Sequence, residues 1–235
     1  MSGRQLFGPG SPRHSPDSIL GGACQPRTAL PVLGGLPAHL EAHFQRLEAG
    51  AMALGRPVAW LQGLQHELRA WLISATEGGD AALRLVLDPV EGILSARIEN
   101  LPPVSLPYRL ALLWHPLGNR LTDPSVCHKG LAGPWGTQVL ADARHLGAED
   151  ALLQWPDGSL AETAIASVSV EIDGILTVPP LPGRVASLTE HLELPDWAQS
   201  RGLRIETKAI PLLSAYEGQI WCMNALRGIW PATLL

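Results

Sequence analysis

Apolar positions recur along the chain with two different periods. In PAHLEAHFQRLEAGAMALG, Leu40, Phe44, Leu47 and Leu54 fall at helical spacing, and Gly55 stands where a helix would stop. VAWLQGLQHELRAWLI repeats the pattern with Val58, Leu61, Leu64, Leu68 and Trp71, so two amphipathic helices are expected. After Gly78-Gly79 the period shortens. LRLVL over 83–87, ILSARI over 93–98 and YRLALLW over 108–114 are apolar or alternating and bounded by turn residues, which predicts strands. A proline-rich connection covers 100–107, and an α+β unit is expected to close near 116.

The pattern then starts again. Trp135, Val139, Leu140, Ala143 and Leu146 share one helical face that Gly147 ends. Two hairpins follow, turning at Asp157-Gly158 and Asp173-Gly174, where Asp-Gly supplies the positive φ of a tight turn. PPLPGRVASLTEHL reads as a loop entering a short helix, and LRIETKAI as a strand. QIWCMNALRGIWPATLL reads as a buried strand, a tight Asn-containing loop and a last extended segment. The Gly-, Pro- and Ser-rich residues 1–21 bury too little apolar area to offset their ordering entropy and are expected to form a flexible tail. The expected class is α/β in the α+β sense, with a small α+β domain over 22–116 and a larger β-rich one over 117–235.

Composition adds limits. Across 235 residues, 46% apolar and 17% charged content is globular, and no apolar run reaches membrane-spanning length. The first twenty residues lack the apolar centre of a signal peptide, so the expected location is cytoplasmic, without a membrane partner. Cys24, Cys127 and Cys222 show no C-x-x-C spacing and read as reduced thiols rather than a disulfide scaffold or zinc site. A net charge of −5 gives no electrostatic reason to expect nucleic acid.

One asymmetry bears on chemistry. The chain has fifteen arginines but only two lysines, Lys129 and Lys208. Lysine can form an imine at neutral pH and arginine cannot, which makes each lysine a candidate nucleophile set against the ordinary solvated alternative.

The order D-P-x-x-x-H-K, a helix ending in G-A-x-D-A-L-L, a turn D-G-x-x-x-E-T, a hairpin running into P-P-L and a final N-A-L-R-G-I-x-P resembles the class IV (fold-type IV) pyridoxal-phosphate enzymes. That group includes branched-chain and D-amino-acid aminotransferases and 4-amino-4-deoxychorismate lyase. The resemblance covers about Leu36 to the C-terminus and implies their two-domain, D-amino-acid aminotransferase-like fold. Lys129 matches the family lysine that carries pyridoxal 5′-phosphate and shuttles the substrate proton, a task needing an amine whose pKa is brought down from roughly 10.4. Glu162 matches the carboxylate that faces the pyridine nitrogen, and Arg46 the arginine whose fork of donors grips the phosphate. Leu188 and Thr189 match a Gly-x-Thr turn of the phosphate cup. Asn224, Ala225 and Leu226 match a second loop whose amides serve phosphate and substrate carboxylate. Thr28 aligns with a substrate-contacting strand, and Lys208 reads as a solvated residue.

The sequence also departs from that pattern. Pro134 replaces a frequent tyrosine, Ser187 the turn glycine, Glu190 the arginine after the threonine, and GGACQPRTALPV the usual N-terminal strand. His39 and His43 lie four apart and are expected to form a helical surface pair, without the third ligand that zinc needs, and most tryptophans are expected in the core. The N-A-L ending and the D-P-x-x-x-H-K motif are closer to the lyase branch. The resemblance therefore implies conversion of 4-amino-4-deoxychorismate to 4-aminobenzoate and pyruvate, a step toward folate, by a homodimer acting on a small-molecule amine. The alternatives are an aminotransferase on branched-chain or D-amino acids, or a non-catalytic family member.

Overall fold

The computed structural model describes residues 4–8, 25–118, 127–133, 135–181 and 183–235; Cys24, Asp123 and Pro134 lie outside the described residues. Packing divides the chain into two compact units, one running through Pro102 and taking back His128–Gly133, the other formed by Pro103–Cys127 and Pro134–Leu235. The boundary falls earlier than the expected 116, because the strand Arg109–Trp114 pairs with strands of the second unit.

In the first unit β1 (Arg4–Phe7), β2 (Arg27–Leu33), β3 (Leu36–Pro37), β4 (Ala81–Asp88) and β5 (Ile93–Glu99) form an antiparallel sheet in the order β1-β5-β4-β2-β3. Helices α1 (Leu40–Ala53) and α2 (Gln65–Thr76) bury their apolar stripes against it. Alternation turns Thr28, Leu30 and Val32 of β2 inward, so Thr28 meets the helical layer. The tail expectation is corrected at β1. Residues 4–7 pair with β5 from Arg4↔Arg97 to Phe7↔Leu94, and the Phe7 ring meets Trp71 edge-on at 5.9 Å. Leu54, expected on the buried stripe, follows the end of α1 and is exposed.

The second unit is built on a mixed sheet. Its strands are β6 (Arg109–Trp114), β7 (Asp150–Gln154), β8 (Leu160–Thr163), β9 (Ser167–Ile172), β10 (Ile175–Val178), β11 (Arg204–Thr207), β12 (Gln219–Asn224) and β13 (Gly228–Leu234). They run in the order β11-β10-β9-β12-β13-β6-β7-β8. Parallel neighbours β6 and β7 need a crossover, which α3 (Trp135–His145) supplies. Small residues at the contact, Ala111, Ala143, Ala151 and Ala161, allow the helix to sit close to the sheet. Leu146, expected on the inner face of α3, is exposed beyond its end. Both Asp-Gly hairpins form, with positive φ at Asp173, Gly174 and Gly158. Short helices α4 (Leu188–Leu192), α5 (Leu194–Ser200) and α6 (Leu212–Glu217) complete the unit.

Asp150 at the start of β7 is fully buried. Its Oδ1 accepts from the N–H groups of Ala151 (2.8 Å) and Ala164 (3.1 Å), and Oδ2 from the Tyr108 hydroxyl (3.3 Å). Burial outweighs these bonds and pushes the carboxyl up to about 6. The folded chain thus holds a proton that the unfolded chain releases near its ordinary value of 3.8. This contribution to stability is fully present below that value and is lost as pH rises through about 6. Asp150→Asn is expected to remove this slope. Urea midpoints of wild type and variant should diverge between about pH 4 and pH 6 and run parallel above it, and parallel profiles throughout would contradict the assignment.

Candidate active site

The residues singled out from sequence fall into two groups, one in each unit. In the first unit His39 precedes α1 as its N-cap residue, His43 and Arg46 lie on α1, and the segment His128–Gly133 returns to this unit. His43 is buried rather than on the surface, correcting the surface-pair expectation. Its Nδ1 lies 2.6 Å from Thr28 Oγ1, so the hydroxyl expected at the substrate hydrogen-bonds the histidine. Burial, followed by the charges of Arg46, Lys129 and His39, brings the His43 ring down to about 3, and the imidazole is neutral at working pH. His128 is also lowered, by burial and by Arg46. Half-buried Lys129 and Arg46 therefore belong to one dense patch of positive charge, which suits an anion.

Backbone contacts fix this patch. Lys129 O accepts from Arg27 N at 3.1 Å, and Leu131 N donates to His128 O at 3.1 Å. Gly130 has φ +99°, and a Cβ there would overlap the Gln25 carbonyl oxygen and lie 2.9 Å from Arg27 Cγ. Only glycine lets the lysine segment approach β2 this closely. Gly130→Ala is expected to cost about 1–3 kcal/mol of stability by overpacking and to displace Lys129. A urea midpoint lower than wild type checks the first effect, and slower labelling of Lys129 by pyridoxal phosphate and borohydride checks the second.

In the second unit Glu162 lies on β8 where the ladder is irregular. Leu152 pairs with Thr163 and Gln154 with Leu160, which leaves Leu153 opposite both Ala161 and Glu162. The extra residue in β8 breaks the regular alternation of the strand next to Glu162. Glu162 Oε1 lies 3.5 Å from Nε2 of His115, with both side chains almost wholly buried. Burial raises the Glu162 carboxyl; His115, the Arg184 charge and the Val185 N–H oppose that rise.

Ser187 caps α4, its Oγ accepting from Glu190 N at 3.1 Å, while its own N–H donates to Ser167 Oγ at 2.7 Å. The serine at the expected glycine position thus serves as an N-cap. Leu188 and Thr189 open the helix, and the Thr189 hydroxyl is buried without a hydrogen-bond partner. The Asn224 side chain donates to Ile165 O at 3.3 Å and accepts from the N–H groups of Leu226 and Arg227, both at 3.1 Å, with Ala225 inside the loop so closed. The Leu226 amide, expected at the substrate, is therefore engaged by Asn224.

Residues 28–235 match the model of the amino-transferase class IV family. The chain belongs to that family. No curated protein matches it by sequence. Among solved structures, a fold IV transaminase from Curtobacterium pusillum superposes with a TM-score of 0.78 at 23% identity, covering 90% of this chain and 77% of the other. A hypothetical aminotransferase from Mycobacterium tuberculosis, in complex with α-ketoglutarate and PMP, gives 0.79 at 21% identity over 98% and 88% of the two chains. 4-Amino-4-deoxychorismate lyase from Pseudomonas aeruginosa gives 0.74 at 21% identity over 99% and 91%. These similarities show a shared fold.

Class IV membership brings the cofactor that the resemblance implied, pyridoxal 5′-phosphate. Each unit holds groups that fit it: in the first, positive charge gathers around Lys129 and Arg46; in the second, the Glu162 carboxyl is buried beside His115 and the Thr189 hydroxyl is buried without a hydrogen-bond partner. Lys208 behaves as the solvated lysine expected, exposed and bonded to Glu206 Oε2 at 2.8 Å. Cys127 and Cys222 are free thiols, and burial raises Cys222 further from its reactive form. Among the described residues no three His, Cys, Asp or Glu side chains gather to hold a metal, and no helix is long and apolar enough to cross a membrane. His115 was missed in the sequence reading. Its carboxylate partner lies far along the chain and beside a bulge, so no local motif marks it.

Proposed function

We propose that the protein is a pyridoxal-phosphate-dependent lyase converting 4-amino-4-deoxychorismate to 4-aminobenzoate and pyruvate. The observation that carries the reading is the pairing of a glycine-anchored lysine with a cationic patch on the first unit. The lyase branch is favoured by D-P-x-x-x-H-K and N-A-L-R-G-I-x-P in the sequence, and the likeness to the Pseudomonas aeruginosa lyase supports it.

When bound, pyridoxal phosphate supplies an acceptor for the electron pair released as a C–H bond breaks. Lys129 Nζ would hold the cofactor and would serve as the base that takes the proton from the amine-bearing carbon of the substrate. The Glu162 carboxyl would keep the cofactor's ring nitrogen protonated, so that the ring could accept charge. In the first unit Arg46 would offer its guanidinium fork to a phosphate; in the second unit the Thr189 hydroxyl and the amides of Leu188, Thr189 and Ala225 are the groups that the resemblance assigns to phosphate binding. The C–O bond to the enolpyruvyl group then breaks with its electron pair on the departing oxygen, the released enolpyruvate takes up a proton to become pyruvate, and aromatisation of the remaining ring makes the elimination downhill. The homodimer that the resemblance implies goes with this reading.

The test is to load the chain with pyridoxal phosphate and supply 4-amino-4-deoxychorismate without any keto acid. Equal amounts of pyruvate and 4-aminobenzoate are expected. Turnover only of a branched-chain or D-amino acid, and only with a keto-acid acceptor, would establish the aminotransferase instead.

A further inference from the structure

We propose that His115 is a positioning residue for Glu162: its Nε2–H holds Oε1 and reserves Oε2 for the cofactor's ring nitrogen. The ring nitrogen enters through the proposed function, whereas the His115–Glu162 contact is a property of this unit alone.

The histidine is fixed from several directions. Its backbone N–H donates to Gln154 O at 2.9 Å just beyond the end of β6. Its ring stacks on Trp155 at 4.1 Å and 23° and leans on Trp135 at 5.1 Å and 53°. The side chain is 0% exposed. Nδ1 accepts from the Leu117 N–H at 3.2 Å, so the ring hydrogen sits on Nε2, on the side of Glu162. An indole cage alone would accept any flat ring; the Leu117 bond fixes one tautomer.

Nε2 and Oε1 are both sealed from water and neither has another partner. They stand 3.5 Å apart, and a shift of roughly 0.5 Å makes a good N–H···O bond. With N–H facing Oε1, any proton on the Glu162 carboxyl resides on Oε2. The remaining side-chain exposure of Glu162, 7%, lies away from the sealed Oε1. The other groups acting on the carboxylate are the Arg184 guanidinium and the Val185 N–H, both from the segment leading into α4. Neither is directed to Oε1, which has no hydrogen-bond partner.

Two measurements on the cofactor-free chain test the proposal. In protein labelled with 15N-histidine, His115 is expected as the Nε2–H tautomer with bare Nδ1; the Nδ1–H tautomer overturns the proposal and requires no variant. In protein labelled with 13C at the glutamate carboxyls, His115→Phe keeps a flat ring but removes the donor. It is expected to raise the Glu162 titration midpoint by about one pH unit or more, and His115→Gln, with an amide NH2 near the Nε2 position, to restore it. An unchanged midpoint in a folded His115→Phe protein overturns the proposal even if cofactor binding is normal. Failure of the wild-type chain to take up pyridoxal phosphate would instead remove the proposed function and leave the His115 result standing.

Discussion

Replacing Lys129 with alanine is expected to lower turnover by at least about 10³-fold while leaving the fold intact. In the proposed function the substitution removes both the group that would carry the cofactor and the base that would take the substrate proton. Stability should change little, because the segment is held by its backbone. Lys129 O keeps its bond to Arg27 N, and Gly130 keeps its close approach to Gln25. Lys129→Arg retains the positive charge in the patch beside Arg46 yet supplies no nucleophilic amine, so it should be equally inactive. Lys208→Ala removes an exposed side chain bonded to Glu206 and should leave turnover near wild type. Comparing kcat for the three variants separates a chemical role at 129 from a general need for positive charge. Appreciable turnover by Lys129→Ala would contradict the role.

The second large effect is on stability. Arg184→Ala is expected to destabilise the protein by about 3–5 kcal/mol. The Arg184 side chain is 2% exposed and its fork is fully used. Nε and Nη2 donate to Pro179 O at 3.1 and 2.6 Å, while Nη1 and Nη2 donate to the two Glu190 oxygens at 2.7 and 2.6 Å. It thereby ties the residue after β10 to α4. Truncation leaves a nearly buried Glu190 carboxylate uncompensated. Arg184→Lys should recover only part of the loss, since a single ammonium cannot form the fork. The double variant Arg184→Met, Glu190→Met should be more stable than Arg184→Ala, because it leaves no buried charge unpaired. Urea unfolding of this set measures the coupling; additive losses would contradict it.

The same pair shows what sequence could and could not reveal. Glu190 stood out in the chain as a lost arginine, whereas in the fold it is the partner of an arginine upstream that the sequence reading had passed over. Elements defined by their own residues were legible: α1 by its apolar stripe, and the β9–β10 hairpin because Asp173 and Gly174 carry the positive φ themselves. Elements defined by distant partners were not. The strand at Arg4–Phe7 forms only because β5 offers an open edge, and its composition still resembles a tail. Thr28 looked available until the fold set it against His43. Helix α5 did carry a signal, a proline in its first turn, which could have marked it. At the candidate site, the expectations for Lys129 and Glu162 rest on the order of motifs along the chain. His115 meets its carboxylate beside a bulge in β8 and within an aromatic cage assembled from three separate segments, and neither leaves a periodic trace.

The cofactor chemistry rests on a single covalent attachment. Pyridoxal phosphate added to the purified chain, followed by borohydride reduction, digestion and mass mapping, reads it directly. The expected result is loss of a visible absorption band on reduction and a phosphopyridoxyl group on the peptide containing Lys129 alone. Label on Lys208, label spread over both lysines, or no uptake at all would contradict a pyridoxal-phosphate site built on Lys129.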